Sequence, residues 1–237
     1  MISKENQYEY AILMAAGMGT RMRPLTLTRP KPLIEVHSRP MIETVIDGLN
    51  LRGVKEIYVV TGYLGEQFAY LTQKYDNVFL IHNSEYETKN NISSVYAASE
   101  ILKKGSCFIC ESDLFIANPA KLFLRDLNDS AYYGRMQEGY SDDWVFELTD
   151  DFISRVGKGG TDTYNMVGLA YFKANEASIL STLIEDYSSN KQFDQYFWDD
   201  VVNENLDKLR LKIEPVDSGD LVEIDTVEEL NIINESF

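Results

Sequence analysis

The sequence predicts an α/β protein built on a doubly wound, mostly parallel sheet with a small antiparallel extension. Over residues 10–113, apolar runs of strand length alternate with amphipathic stretches, an order that buries a parallel sheet between two helix layers. From about residue 130 strand-like runs follow one another without helical spacers, which suits antiparallel pairing. The 237 residues, 44% hydrophobic and 25% charged, suffice for one large core, and neither a repeat nor a composition break marks a second domain. We therefore expect one domain over 10–237, preceded by a polar tail or linker at 1–9.

Taken in order, YAILMAAG (10–17) is the first strand and PMIETVIDGLNLRGV (40–54) a helix, with Pro40 suited to its first turn. EIYVVTGY (56–63) is the second strand, and a helix is expected near GEQFAYLTQKY. VFLIHN (78–83) is the third strand, NISSVYAASEIL (91–102) a helix and SCFICESD (106–113) the fourth strand. AYYGRMQ, WVFELT, FISRVG and YNMVGLAYF read as antiparallel strands, then helices around 175–189 and QYFWDDVVNENL. LRLKIEPVD and LVEIDT are short strands, and Thr226 caps a closing helix. GKGGTDTYNMVG (157–168) either covers a ligand or turns a hairpin.

In such sheets ligands sit beyond the carboxyl ends of the strands. That rule directs attention to AAGMGTRMRPLTLTRPKPLIEV, which begins at residue 15, and to Asp113. The net charge is 22 − 38 = −16, which disfavours nucleic acid and anionic membrane surfaces as partners. Yet Arg21, Arg23, Arg29, Lys31 and Arg39, five of the 22 cations, fall within 19 positions, so a local anion site is expected. The polar start and the lack of a long apolar run point to the cytoplasm. Cys107 and Cys110 lie three apart on a strand and face opposite sides, so we read them as structural thiols. His37 and His82 are also read as structural.

The glycine spacing excludes two loop types. A Walker loop needs G-x-x-x-x-G-K-[ST], and a dinucleotide loop needs a third glycine where Met22 stands. What remains is G-x-G-x-R followed by P-K-P. Gly17 and Gly19 let backbone amides approach phosphate oxygens and Arg21 can clamp them. Lys31, between Pro30 and Pro32, is expected on an extended path.

These residues resemble the signature of the nucleoside-triphosphate transferases that activate phosphorylated sugars and alcohols, a family with a Rossmann-like sheet of nucleotide-diphospho-sugar transferase type. The resemblance implies attack of a substrate phosphate on the α-phosphorus of a nucleoside triphosphate with loss of pyrophosphate. It implies that Ala16, Gly17, Gly19, Arg21 and Lys31 hold the triphosphate, with Lys31 also near the transferring group. It further implies that Asp113 and Asp225 hold Mg²⁺. Alternation along LVEID would turn Glu223 and Asp225 to one side.

KNNISSVY (89–96) resembles the branch that uses CTP, the bacterial phosphocholine cytidylyltransferases that serve cell-surface decoration, and so implies Asn91 and Ser94 near the cytosine. Trp144, Trp198, Asp199 and Glu223 are similar to that branch's choline-binding positions, and a quaternary ammonium, which donates no hydrogen bonds, calls for aromatic faces beside acids. Tyr196 and Phe197 are left to packing. The expected reaction is thus CTP plus phosphocholine to CDP-choline and pyrophosphate. Next in order come 2-aminoethylphosphonate or phosphoethanolamine as the acceptor, then a sugar 1-phosphate, then a silent nucleotide-binding module. Members of such families also occur fused to or associated with a choline kinase or other domain.

Overall fold

The computed structural model describes residues 8–236. The expected tail lies outside the described residues as far as residue 7, and Glu9 already belongs to the first strand. The elements are β1 (Glu9–Ala15), β2 (Glu35–Val36), β3 (Arg39–Pro40), α1 (Met41–Arg52), β4 (Glu56–Thr61), α2 (Leu71–Lys74), β5 (Val78–His82), α3 (Ile92–Ala97) and α4 (Ser99–Leu102). They continue with β6 (Ser106–Glu111), β7 (Leu114–Ile116), α5 (Pro119–Phe123), β8 (Ser130–Thr149), β9 (Phe152–Phe172), α6 (Ala174–Ser188), α7 (Trp198–Asn203), β10 (Leu211–Pro215), β11 (Leu221–Glu223) and α8 (Val227–Glu235).

The main sheet runs β10-β8-β9-β6-β1-β4-β5. Its β6-β1-β4-β5 half is parallel, and β9 and β8 join antiparallel. Alternation along β1 shows why helices cover both faces. Ala11, Leu13 and Ala15 enter one apolar cluster with α1, α2 and α5. Tyr10 and Ile12 enter another with α3, α4, α6 and α7. Cys107 and Cys110 divide between the same two clusters as free, buried thiols, as the spacing predicts.

Two expected helices are shorter. Residues 65–75 split into a 3-10 turn at Gly65–Phe68 and α2. Residues 91–102 break at Ala98, whose N–H bonds to Val95 three residues back instead of four. The four strand-like runs after residue 130 fuse in pairs into β8 and β9, of 20 and 21 residues. Asp150 and Asp151, both at positive φ, turn the ribbon, a conformation that matches strand twist in a tight hairpin. Residues 157–168, open between cover and hairpin turn in the sequence, lie within β9. No helix among the described residues is long and apolar enough to cross a membrane.

Candidate active site

A cleft opens at the carboxyl ends of β1 and β6. Its first half is lined by Gly17, Gly19, Arg21, Lys31, Asp113 and Asp225. After β1 the chain turns at Gly19, whose φ is +58° and whose added Cβ would lie 2.8 Å from the Lys31 Cβ. Only glycine permits both the left-handed backbone and that approach. At Gly17 a Cβ would meet open space, so there the missing side chain leaves the backbone bare to a ligand.

Met22 and Ile34, at either end of the loop, pack with Ile224 and Leu230 in a small apolar cluster. Burial of these side chains draws the β11–α8 junction onto the glycine loop, which is why Asp225 meets residues some two hundred positions away. Thr226 caps α8 in a reciprocal box with Glu229 and holds the junction in place.

Lys31 is 7% exposed. Its Nζ donates to Asp113 at 2.5 Å and to Asp225 at 2.6 Å, and Arg21, itself largely exposed, reaches Asp225 at 2.7 Å. Burial pushes the Lys31 ammonium down, but Asp113 and then Asp225 outweigh it and leave its pKa raised, so the lysine is a cation at any working pH. The expected extended path is not observed: Lys31 opens a 3-10 turn, with Leu33 and Ile34 N–H bonded to Pro30 and Lys31. Burial of Leu33 and Ile34 closes the turn and carries the ammonium inward. Of the five clustered cations, only Arg21 and Lys31 line the cleft. Arg29 pairs with Glu35 and Arg39 with Asp47 at the surface.

Asp113, Glu223 and Asp225 each offer an oxygen within 4.8 Å of the others. Three carboxylates at that spacing are the hard donors that suit Mg²⁺. Glu223, expected beside choline, thus faces the metal-competent cluster. Burial first, then Asp113 and Asp225, raise its pKa well above the carboxylate range. The strand ends at Glu223, and Ile224, fully buried between them, leaves Glu223 and Asp225 on one side, as alternation predicts.

The second, wider half, about 650 Å³, is lined by Ala16, Asn91, Ser94, Glu111, Asp142, Asp143, Trp144, Lys158 and Phe197 among others. Asn91 accepts from the Trp198 N–H at 2.9 Å and so ties α3 to α7 without capping its own helix. Ser94 accepts from Asn83.

The expected tryptophan pair does not form. Trp144 lines the cleft edge-to-face with Phe197, centroids 5.4 Å apart. Trp198, 4% exposed, stacks on Tyr132 in the core, and Asp199, 3% exposed, accepts from the Tyr132 hydroxyl at 2.9 Å. The start of α7 turns Trp198 into the apolar layer and leaves its neighbour Phe197 at the cleft, the reverse of the sequence expectation; Tyr196 does pack, against Tyr187 and Phe193. Sequence reasoning also missed Glu111, although its place at the end of a strand, two before Asp113, marked it. Burial, then Asp113 and Glu223, push its carboxyl well up.

A parallel sheet whose first loop presents amides, an arginine and a buried lysine to a carboxylate cluster defines a nucleotidyltransferase. Residues 10–136 match the nucleotidyl transferase family, and the chain belongs to it. It is 50% identical over 228 residues, 96% of this chain and 92% of the relative, to the 2-aminoethylphosphonate cytidylyltransferase of Lancefieldella rimae. It is 30% identical over 226 residues, 95% and 96% of the two chains, to the choline-phosphate cytidylyltransferase of Streptococcus pneumoniae. A solved structure of CTP:phosphocholine cytidylyltransferase from Streptococcus pneumoniae superposes with a TM-score of 0.87 at 29% identity, covering 96% and 98% of the chains.

Proposed function

We propose that the protein is a cytidylyltransferase that joins CTP to 2-aminoethylphosphonate and releases pyrophosphate. The observation that carries this reading is the 50% identity, along nearly the whole chain, to a relative of that name. It reverses the order of acceptors drawn from the sequence, in which phosphocholine came first. The physical argument agrees: a primary ammonium is held by hydrogen-bonding carboxyls, and the acceptor half is lined by Glu111, Asp142 and Asp143 with the Trp144–Phe197 pair in place of the expected two tryptophans.

In this reading the amides around Gly17 and Gly19, with Arg21, hold the triphosphate, and Ala16, Asn91 and Ser94 line the cytidine side. Lys31 stabilises charge on the transferring phosphoryl group. A phosphonate oxygen attacks the α-phosphorus, a P–O bond forms, and the bond to the β-phosphate oxygen breaks as pyrophosphate departs. Asp113 and Asp225, with Glu223, would hold Mg²⁺, which when bound supplies positive charge to the phosphate oxygens. Trp144 and Phe197 flank the acceptor.

Phosphocholine is the second reading, favoured by the 30% identical relative and the 0.87 TM-score. A pyrophosphate-release assay with CTP and each acceptor tests both. The highest kcat/KM is expected for 2-aminoethylphosphonate, and a preference for phosphocholine or glucose 1-phosphate would overturn the proposal.

A further inference from the structure

Residues 194–197, between the 3-10 turn Lys191–Phe193 and α7, form no helix or strand, yet they end on Phe197, whose ring stands against Trp144 in the cleft. What fixes this segment comes from residues 88–91, just before α3. The Asn90 N–H donates to the Asp194 carbonyl at 2.8 Å, and Asn90 Nδ2 donates to the Gln195 carbonyl at 3.2 Å. Gln195 returns a bond from Nε2 to the Thr88 carbonyl at 3.0 Å. Beyond Phe197, the Trp198 N–H donates to Asn91 Oδ1. Lys89 adds an ion pair with Asp194 at 3.4 Å. Two stretches more than a hundred residues apart are thus laced together on both sides of Phe197. Asn90 is central because its side chain bonds in both directions: Oδ1 accepts from the Asn91 N–H at 2.8 Å while Nδ2 reaches Gln195. Only a side chain with donor and acceptor on one planar group does both. Among the described residues, Asn90 and Gln195 stand outside the cleft lining.

We infer that Asn90 is a positioning residue for the acceptor: by holding Asp194 and Gln195 it sets the Phe197 ring against Trp144 and shapes the aromatic wall without touching a ligand. This rests on the reading above, in which Trp144 and Phe197 flank the acceptor. A segment with no ladder bonds samples many backbone states. Holding it beforehand in the state that binds removes an ordering cost that acceptor binding would otherwise bear.

The test is a double-mutant cycle on the acceptor KM, measured by pyrophosphate release, with calorimetric binding of CTP to every variant. Asn90→Asp is nearly isosteric, keeps the bond to Asn91 and sets a carboxylate oxygen against the Gln195 carbonyl. It should raise KM for 2-aminoethylphosphonate about tenfold while Kd for CTP stays within about threefold of the parent's. Gln195→Ala, at an exposed position, should raise the same KM about threefold. Phe197→Ala should raise it as well, and in that background Asn90→Asp should have no further effect, because the ring through which Asn90 acts is gone. General structural damage would add instead. An unaltered KM in Asn90→Asp or Phe197→Ala, additive effects in the double variant, or a CTP Kd that rises as much as the acceptor KM would overturn the inference and leave the acceptor reading standing. If the parent turns over phosphocholine and not 2-aminoethylphosphonate, the acceptor reading falls, and the same cycle run with phosphocholine decides the inference by itself. A parent that binds CTP and turns over neither would overturn both.

Discussion

On the proposed nucleotide side of the cleft, Gly17, Gly19, Arg21 and Lys31 come from one stretch of chain, and Lys31 and Arg21 meet Asp113 and Asp225 at distances near 2.6 Å. The proposed acceptor side takes Glu111 from β6, Trp144 from β8, Lys158 from β9 and Phe197 from just before α7. The first side is a local motif whose backbone constrains its own geometry. The second is assembled by packing, so each of its residues depends on where another element lies. Local motifs survive sequence change as a unit, whereas an assembled wall can be retuned one side chain at a time. That difference lets a family keep one reaction and exchange acceptors.

The comparison is broken most severely at Lys31. Lys31→Ala should lower turnover by about 10³-fold with the fold retained, measured by pyrophosphate release beside a thermal melt; near-normal activity would remove the lysine from the reaction. Asp113→Asn should cost about 10²-fold or more and should weaken Mn²⁺ binding read by electron paramagnetic resonance. Unchanged ion binding would dissociate Asp113 from the metal.

The two tryptophans sharpen the contrast within the acceptor side. Trp198→Ala empties a core site and should destabilise the protein by about 3–5 kcal/mol, visible in denaturant unfolding. Trp144→Ala should leave stability within about 0.5 kcal/mol and instead raise KM for the acceptor several-fold. Equal loss of stability in both variants would erase the distinction between core and cleft tryptophan.

A further contrast is a pH dependence. Burial pushes the Asp199 carboxyl up to about 7; the Tyr132 hydroxyl bond opposes the shift without cancelling it. Because the folded value lies above the unfolded one, near 4, the folded state holds the proton more tightly. Its stabilising contribution is complete below pH 4 and is lost as pH rises to about 7. Asp199→Asn keeps an acceptor for Tyr132 and removes the titration. The melting temperature of the variant minus that of the parent should therefore rise from pH 4 to pH 7 and level off above. A difference that does not vary with pH would mean that Asp199 is ionised in the fold.

Much of this was legible in the sequence. The apolar runs YAILMAAG and VFLIHN marked strands, and the glycine, arginine and lysine spacing marked the candidate phosphate loop, because composition and spacing are properties of contiguous chain. Asp113 was legible too, since the end of a parallel strand is where such sheets act. Less was legible where the outcome depends on packing. The paths of β8 and β9 follow from their pairing with each other and with β6, and that pairing absorbed the glycine-rich 157–168 segment. In QYFWDD four adjacent residues compete for one buried layer, and only the seating of α7 against Tyr132 decided that Trp198 goes in and Phe197 stays out. Glu223 likewise joined Asp113 only because β11 pairs antiparallel with β7, setting Glu223 opposite Leu114. By itself the sequence determined the strands and the glycine loop, whose signals are local along the chain. Only the tertiary structure decided the acceptor wall, because nonlocal burial chooses among side chains that the sequence leaves equivalent.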